Sequence, residues 1–163
     1  MNQTEQSPTP STILATTLQT VTGFYLRDLK ATPEDQLTAS PKGDARSICQ
    51  FTGEVAGFNY MVAGMLIDKP YPKKTPEERE AFYATIKDKA SAVAAIEQSL
   101  SVLVDAINQV PEKDWATMIE APWGQPISKF GLAMFASLHS SYHDGQLNYI
   151  QTLFGDKDMH WLD

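Results

Sequence analysis

The chain has 163 residues, 42% hydrophobic and 20% charged, with 13 Lys+Arg against 20 Asp+Glu for a formal net charge of −7. This composition suits a globular chain that buries roughly 70% of its unfolded surface, and it excludes an intrinsically disordered one. The acidic balance repels phosphate backbones, and the densest basic stretch, Lys69 to Lys74, is followed by Glu77, Glu78 and Glu80, so nucleic acid is not an expected partner.

Residues 1–10 are rich in Ser, Thr, Pro and Gln and read as a flexible N-terminus, with residues 11–163 forming one helical domain. The first residues hold no apolar run, so no signal peptide is expected. No apolar stretch reaches the ~18 residues of a membrane span. One cysteine, Cys49, excludes an internal disulfide and fits a reducing compartment, so the expected location is cytoplasmic.

Ser11 is the expected N-cap of a first helix. Ile13, Leu14, Leu18, Val21, Phe24, Tyr25 and Leu29 then recur at helical spacing. Thr32-Pro33-Glu34-Asp35 starts a short helical turn, and Ser40 to Gly43 reads as loop. A second long helix is expected from Ala45 to Leu66. Its stripe is Phe51, Phe58, Met61 and Met65, flanked by Ile48, Val55 and Val62. Gly53 and Gly57, four apart, each cost ~1 kcal/mol in a helix and so point to a close neighbour on that side.

Pro70-Tyr71-Pro72 reads as loop. Thr75-Pro76-Glu77-Glu78 is the strongest helix start in the chain. A long third helix is expected from there to Pro111, through Phe82, Ile86, Val93, Ile96, Leu100, Leu103 and Ile107. Residues 110–126 read as loop with one short helical turn, and no strand alternation is visible. A fourth helix runs from Ile127 to Phe154, with Gly155 as the cap residue and an eight-residue tail beyond. The expected fold is all-α, a four-helix bundle with long connections.

His139 and His143 are four apart on the last helix, so their imidazoles share one face and can reach one ion. Glu54 lies in the stripe Phe51, Glu54, Phe58, Met61. A carboxylate there needs a counter-ion, which Arg46, a lysine or a metal could supply. Glu54, His139 and His143 together form a two-His, one-carboxylate set that leaves coordination positions open. Asn59 and Gln146 are candidate positioning groups, Gln50 a candidate outer donor and His160 a reserve ligand. Cys49 reads as a small buried hydrophobe, and Trp115 and Trp123 as core or lid residues. Phosphate-binding glycine loops, a GxSxG elbow, a CxxC pair and paired ExxH motifs are all missing.

Two segments, Ile48 to Leu66 and Leu138 to Trp161 with its HxxxHxGQ element, resemble the DinB/YfiT-like superfamily of metalloenzymes. The resemblance covers most of the chain. It implies a four-helix bundle of DinB-like type binding one divalent ion in a cleft. By position, His139 and His143 match the family's last-helix ligands, and Glu54 stands where the family usually has histidine. Zinc, nickel or iron would suit such a set. The resemblance further implies a homodimer, a small-molecule substrate, and thiol-dependent S-transfer or isomerisation with a low-molecular-weight thiol as cofactor. A metal-dependent hydrolase and a non-catalytic dimeric helical module are the alternatives.

Overall fold

Thr9, not Ser11, caps the first helix: its hydroxyl accepts from the Thr12 amide at 3.2 Å. Pro10 then occupies the first helical position, where its fixed φ suits the helix and its missing N–H costs nothing. In the computed structural model, which describes residues 7–69 and 74–162, this helix α1 spans Pro10–Ala31. Residues 1–6 of the expected N-terminal arm and the loop at Pro70-Tyr71-Pro72 lie outside the described residues. The short turn forms as α2, Glu34–Leu37.

The next helix, α3, spans Ile48–Leu66 and starts three residues later than the sequence suggests. Ser47 and Gln50 form a reciprocal capping box there, which satisfies two amides and fixes the start. A larger correction concerns the expected third helix. It is two helices, α4 (Pro76–Tyr83) and α5 (Lys89–Gln109). Asp88 and Ser91 make a second capping box, a stronger local signal than the continuous apolar spacing across it. Residues 110–126 also depart from expectation. Met118–Glu120 (β1) pairs antiparallel with Pro126–Ser128 (β2), placing Ile119 opposite Ile127. The turn between them needs Gly124 at φ +80°. The last helix, α6, spans Lys129–Leu153, with Gly155 at φ +95° after its cap.

Each long helix packs on two others: α1 on α5 and α6, and α3 on α5 and α6. The apolar core falls into two clusters. One holds Leu14, Leu18, Val62, Leu66, Leu103, Ile107, Trp115 and Leu132. The other holds Tyr25, Leu29, Ile48, Phe51, Val55, Ile96, Leu147 and Ile150. Between them in sequence, every long helix contributes a buried polar residue: Thr22, Asn59, Ser99 and Ser140. Asn59 donates to Ser99 Oγ at 3.3 Å.

By length and composition α5 does pass as a membrane-spanning segment, contrary to the sequence expectation. Its Ile96, Leu103 and Ile107 are buried against the other helices, and 33% of the apolar window is buried. The stripe expected to bury α3 also divides. Val55, Ala56, Val62, Ala63 and Leu66 enter the core, whereas Phe58, Met61 and Met65 line an open cleft. Glycine explains why a cleft wall can form there. A Cβ on Gly53 would lie 2.8 Å from Tyr83 Cδ1, and one on Gly57 3.7 Å from Phe82 Cε1. The bare side of α3 is therefore the seat of α4.

Candidate metal centre

Glu54 on α3 and His139 and His143 on α6 converge. Their ligand atoms all lie within 4.8 Å of one another. His139 Nε2 is 3.6 Å from Glu54 Oε1, and His143 Nε2 is 3.9 Å from Glu54 Oε2. The two Nε2 atoms are 3.2 Å apart. Two ligands at zinc–nitrogen distances and a tetrahedral angle stand about 3.3 Å apart. The histidine pair already has that spacing, and the carboxylate, which faces the two rings with different oxygens, would have to close by roughly half an ångström or more to join them on one ion.

Ring packing fixes both imidazoles. Phe51 stacks on His143 with centroids 5.5 Å apart, and Phe58 lies 4.5 Å from His139. His143 Nδ1–H donates to Gln146 Oε1 at 2.8 Å, and Gln146 Nε2 donates to Tyr142 Oη at 3.0 Å. This chain places the His143 proton on Nδ1 and leaves the Nε2 lone pair facing Glu54 and His139. Burial, with His139 beside it, pulls the His143 imidazole down to about 4, against Glu54 and Gln146. It is therefore neutral at physiological pH, as a ligand must be. His139 Nδ1 is buried without a hydrogen-bond partner, so the second imidazole lacks the outer support of the first.

Glu54 also pairs with Arg46 Nη1. The interaction with His139, reinforced by Arg46, draws the Glu54 carboxyl down to about 2 despite partial burial. Both expected neighbours of Glu54 are present: Oε1 faces His139, while Oε2 takes Arg46 and also lies 3.9 Å from His143. Among the described residues this is the one cluster of three or more His, Cys, Asp or Glu side chains suited to a metal ion.

Other candidate residues fall elsewhere. Asn59 is buried against α5, and Gln50 Oε1 accepts from the Ser47 amide in the cap. Neither is hydrogen-bonded to the cluster: Asn59 lies well around α3 from Glu54, and Gln50, one turn before Glu54, is taken up by the cap. His160 bonds Asp156 Oδ2 at 3.0 Å. Cys49 is buried in the core. Trp115 is a core residue, and Trp123 is exposed with its ring 5.0 Å from Phe135.

The cleft beside Glu54 has a volume of about 1010 Å³. Phe58, Met61 and Met65 form one wall, Arg79, Phe82 and Tyr83 of α4 the other, and Ile119 to Pro122 of the hairpin a third side. The α4 contribution was hidden in the sequence because these residues read as part of one long core helix. The single available sign was the Gly53–Gly57 pair.

An all-helical core with a two-His, one-carboxylate cluster defines a helical domain with a possible metal site. Comparison with known proteins gives the family. The DinB superfamily model matches residues 17–147, and the chain belongs to this superfamily. A search of curated proteins finds no match. Among solved structures, a mutant of mycothiol-dependent maleylpyruvate isomerase matches with a TM-score of 0.70 at 17% identity. The alignment covers 90% of this chain and 63% of that one. At this identity the likeness is one of fold.

Proposed function

We propose that Glu54, His139 and His143 hold one divalent metal ion, zinc, nickel or iron, and that the adjoining cleft binds a small-molecule substrate for a thiol-dependent transfer or isomerisation. The observation that carries this reading is the convergence of three ligand atoms within 4.8 Å at the edge of a large cleft. The structural neighbour is itself a mycothiol-dependent isomerase, and its chemistry is consistent with a low-molecular-weight thiol as co-substrate here.

A bound divalent ion would lower the pKa of a coordinated thiol and so supply a thiolate at neutral pH. The chain's own residues do the rest. Gln146 and Tyr142 fix the His143 tautomer, and Phe51 and Phe58 hold the ring planes. Glu54 brings a negative charge that a third histidine would not, which reduces the net charge of the centre. That difference favours harder ions, which prefer oxygen ligands, more than an all-histidine set does.

One observation favours a second reading, a helical binding module without metal: Arg46 already supplies Glu54 with a counter-ion. Elemental analysis of untagged protein separates the two. The metal reading expects about one ion per chain in the native protein and its loss in His143→Ala. Absence of metal after incubation with excess zinc, nickel and ferrous ions would overturn it. Metal-loaded protein is then assayed for transfer from low-molecular-weight thiols.

A further inference from the structure

Along its outer face α6 exposes Phe135, Leu138, Tyr142, Tyr149 and Leu153, from 38% at Phe135 to 65% at Tyr149. At 3.6 residues per turn these five fall within an arc of ~60°, and the stretch from Leu138 to Leu153 is ~22 Å long, so they form one continuous stripe. No exposed residue of α6 is charged. From Phe130 to Gly155 the only Asp, Glu, Lys or Arg is Asp144, which is buried, although a fifth of the whole chain is charged. The neighbouring helix α1 is also free of charge from Pro10 to Leu26. A surface helix ordinarily turns a charged or polar side to water. Here that side has the composition of an interface core, rich in tyrosine and poor in charge.

The stripe also reads the same from both ends. The midpoint between Leu138 and Leu153 is also the midpoint between Tyr142 and Tyr149, and it falls between Gly145 and Gln146. Two such helices laid antiparallel about a two-fold axis through that point set each Leu138 against a Leu153 and each Tyr142 against a Tyr149. An isologous interface requires that reciprocity, because residue i meets j while j meets i. A partner of another sequence requires no such symmetry. The area is of the right order too. With aromatic side chains of roughly 150–250 Å², the exposed fractions leave about 500 Å² of apolar surface on the stripe, most of the ~800 Å² per partner in a standard interface.

We infer that the outer face of α6 pairs, antiparallel, with the same face of a second copy of this chain, about an axis between Gly145 and Gln146. The pairing does not depend on the metal reading, yet it reaches the same centre. Tyr142, which a second copy would cover with its Tyr149, accepts from Gln146, and Gln146 accepts from His143. Pairing therefore packs the outer end of the hydrogen-bond chain that holds the His143 ring.

Sedimentation equilibrium of the untagged full-length protein tests this. The native chain should have the mass of two copies at micromolar concentration. Leu138→Lys and Leu153→Glu should each weaken association at least about tenfold, since each buries an unpaired charge. The double variant opposes a new cation to a new anion at both ends of the stripe, and should recover much of the native association. Val102→Lys alters an equally exposed apolar residue of α5, which packs on α1 and α3 across the bundle from α6, and should leave the mass unchanged. A native protein that stays monomeric at high micromolar concentration would overturn the inference and leave the face to a partner of another kind. Single variants that associate as the native chain does, or a folded double variant that fails to recover, would overturn it as well. Should a charged variant fail to fold, Tyr149→Ala carries the test without a new charge: it should weaken association at least about tenfold, and an unchanged dissociation constant would count against the pairing.

Discussion

Asp144 shows how one buried carboxyl couples folding to pH. It sits on α6 facing away from the histidines, beside Asp28 of α1. Burial, then the charge and hydrogen bond of Asp28, push its pKa up to about 8. Asp28 Oδ2 accepts from Asn148 Nδ2 and Trp161 Nε1, each at 2.8 Å. A folded-state pKa above the unfolded value means that stability is intact below about pH 4 and is lost as pH rises toward 8. Asp144→Asn should therefore be more stable than the native protein at pH 8, by at least about 1 kcal/mol, with little difference at pH 4. Chemical denaturation at the two pH values checks this, and parallel stability profiles would refute it. Cys49 gives a simpler case. Burial pushes its thiol up to about 11, so a thiol-reactive disulfide reagent at pH 8 should modify the folded protein orders of magnitude more slowly than the unfolded chain. The sequence placed Cys49 in the core correctly, because small apolar-like thiols favour burial. Asp28 escaped notice, although a carboxylate beside Tyr25 and Leu29 in an apolar stripe was a visible anomaly.

At the scale of elements, two glycines in helices have opposite meanings. Gly53 is where α4 touches α3, and an added Cβ would sit 2.8 Å from Tyr83 Cδ1 and 3.1 Å from its Cα. Gly145 on α6 faces open space, with nothing within 4 Å. Gly53→Ala should destabilise by about 1–2 kcal/mol, the overpacking exceeding the gain in helix propensity, and should disturb the α4 wall of the cleft. Gly145→Ala should stabilise by roughly 0.5–1 kcal/mol. Thermal melts of the two variants give the comparison, and equal shifts would contradict it. Element boundaries were legible where the chemistry was local. The Thr75–Glu78 start follows from side chains that cap their own helix, whereas the last helix, expected from Ile127, is capped by Ser128 and begins at Lys129. The division of α4 from α5 was not read, because the apolar spacing runs across Tyr83 to Lys89 while the Asp88–Ser91 box lies inside it. The hairpin was not read either, since three-residue strands are too short to show alternation.

Across the whole molecule, the C-terminal tail docks on the C-terminal half of α1, far from it in sequence. Trp161 stacks on Phe24 of α1 with centroids 4.6 Å apart, and its indole donates to Asp28. Arg27 Nη1 donates to the Trp161 carbonyl at 3.0 Å. Trp161→Ala removes the stack and one donor to a buried carboxylate, and should cost about 2 kcal/mol. An unchanged denaturation midpoint would show that the tail docks without contributing. The buried polar residues Thr22, Asn59, Ser99 and Ser140 bear on the whole packing arrangement too. Thr22 Oγ1, Asn59 Oδ1 and Ser140 Oγ have no protein partner, so each carries a desolvation cost in the folded state.

The sequence by itself determined the helical class, the long helices, and the three residues that meet at the candidate metal centre. Helical period and capping are local properties, and His139 and His143 share a face through their spacing alone. Tertiary structure decided what lies around that centre. It gave Glu54 two neighbours at once, Arg46 and the histidine pair. It turned Phe58, Met61 and Met65 from expected core into cleft wall, and it brought Arg79 of α4 and Lys74 before it to that cleft. These contacts link residues distant along the chain, and they arise because the bare side of α3 at Gly53 and Gly57 admits α4. Spacing along one helix carries no record of what packs against it.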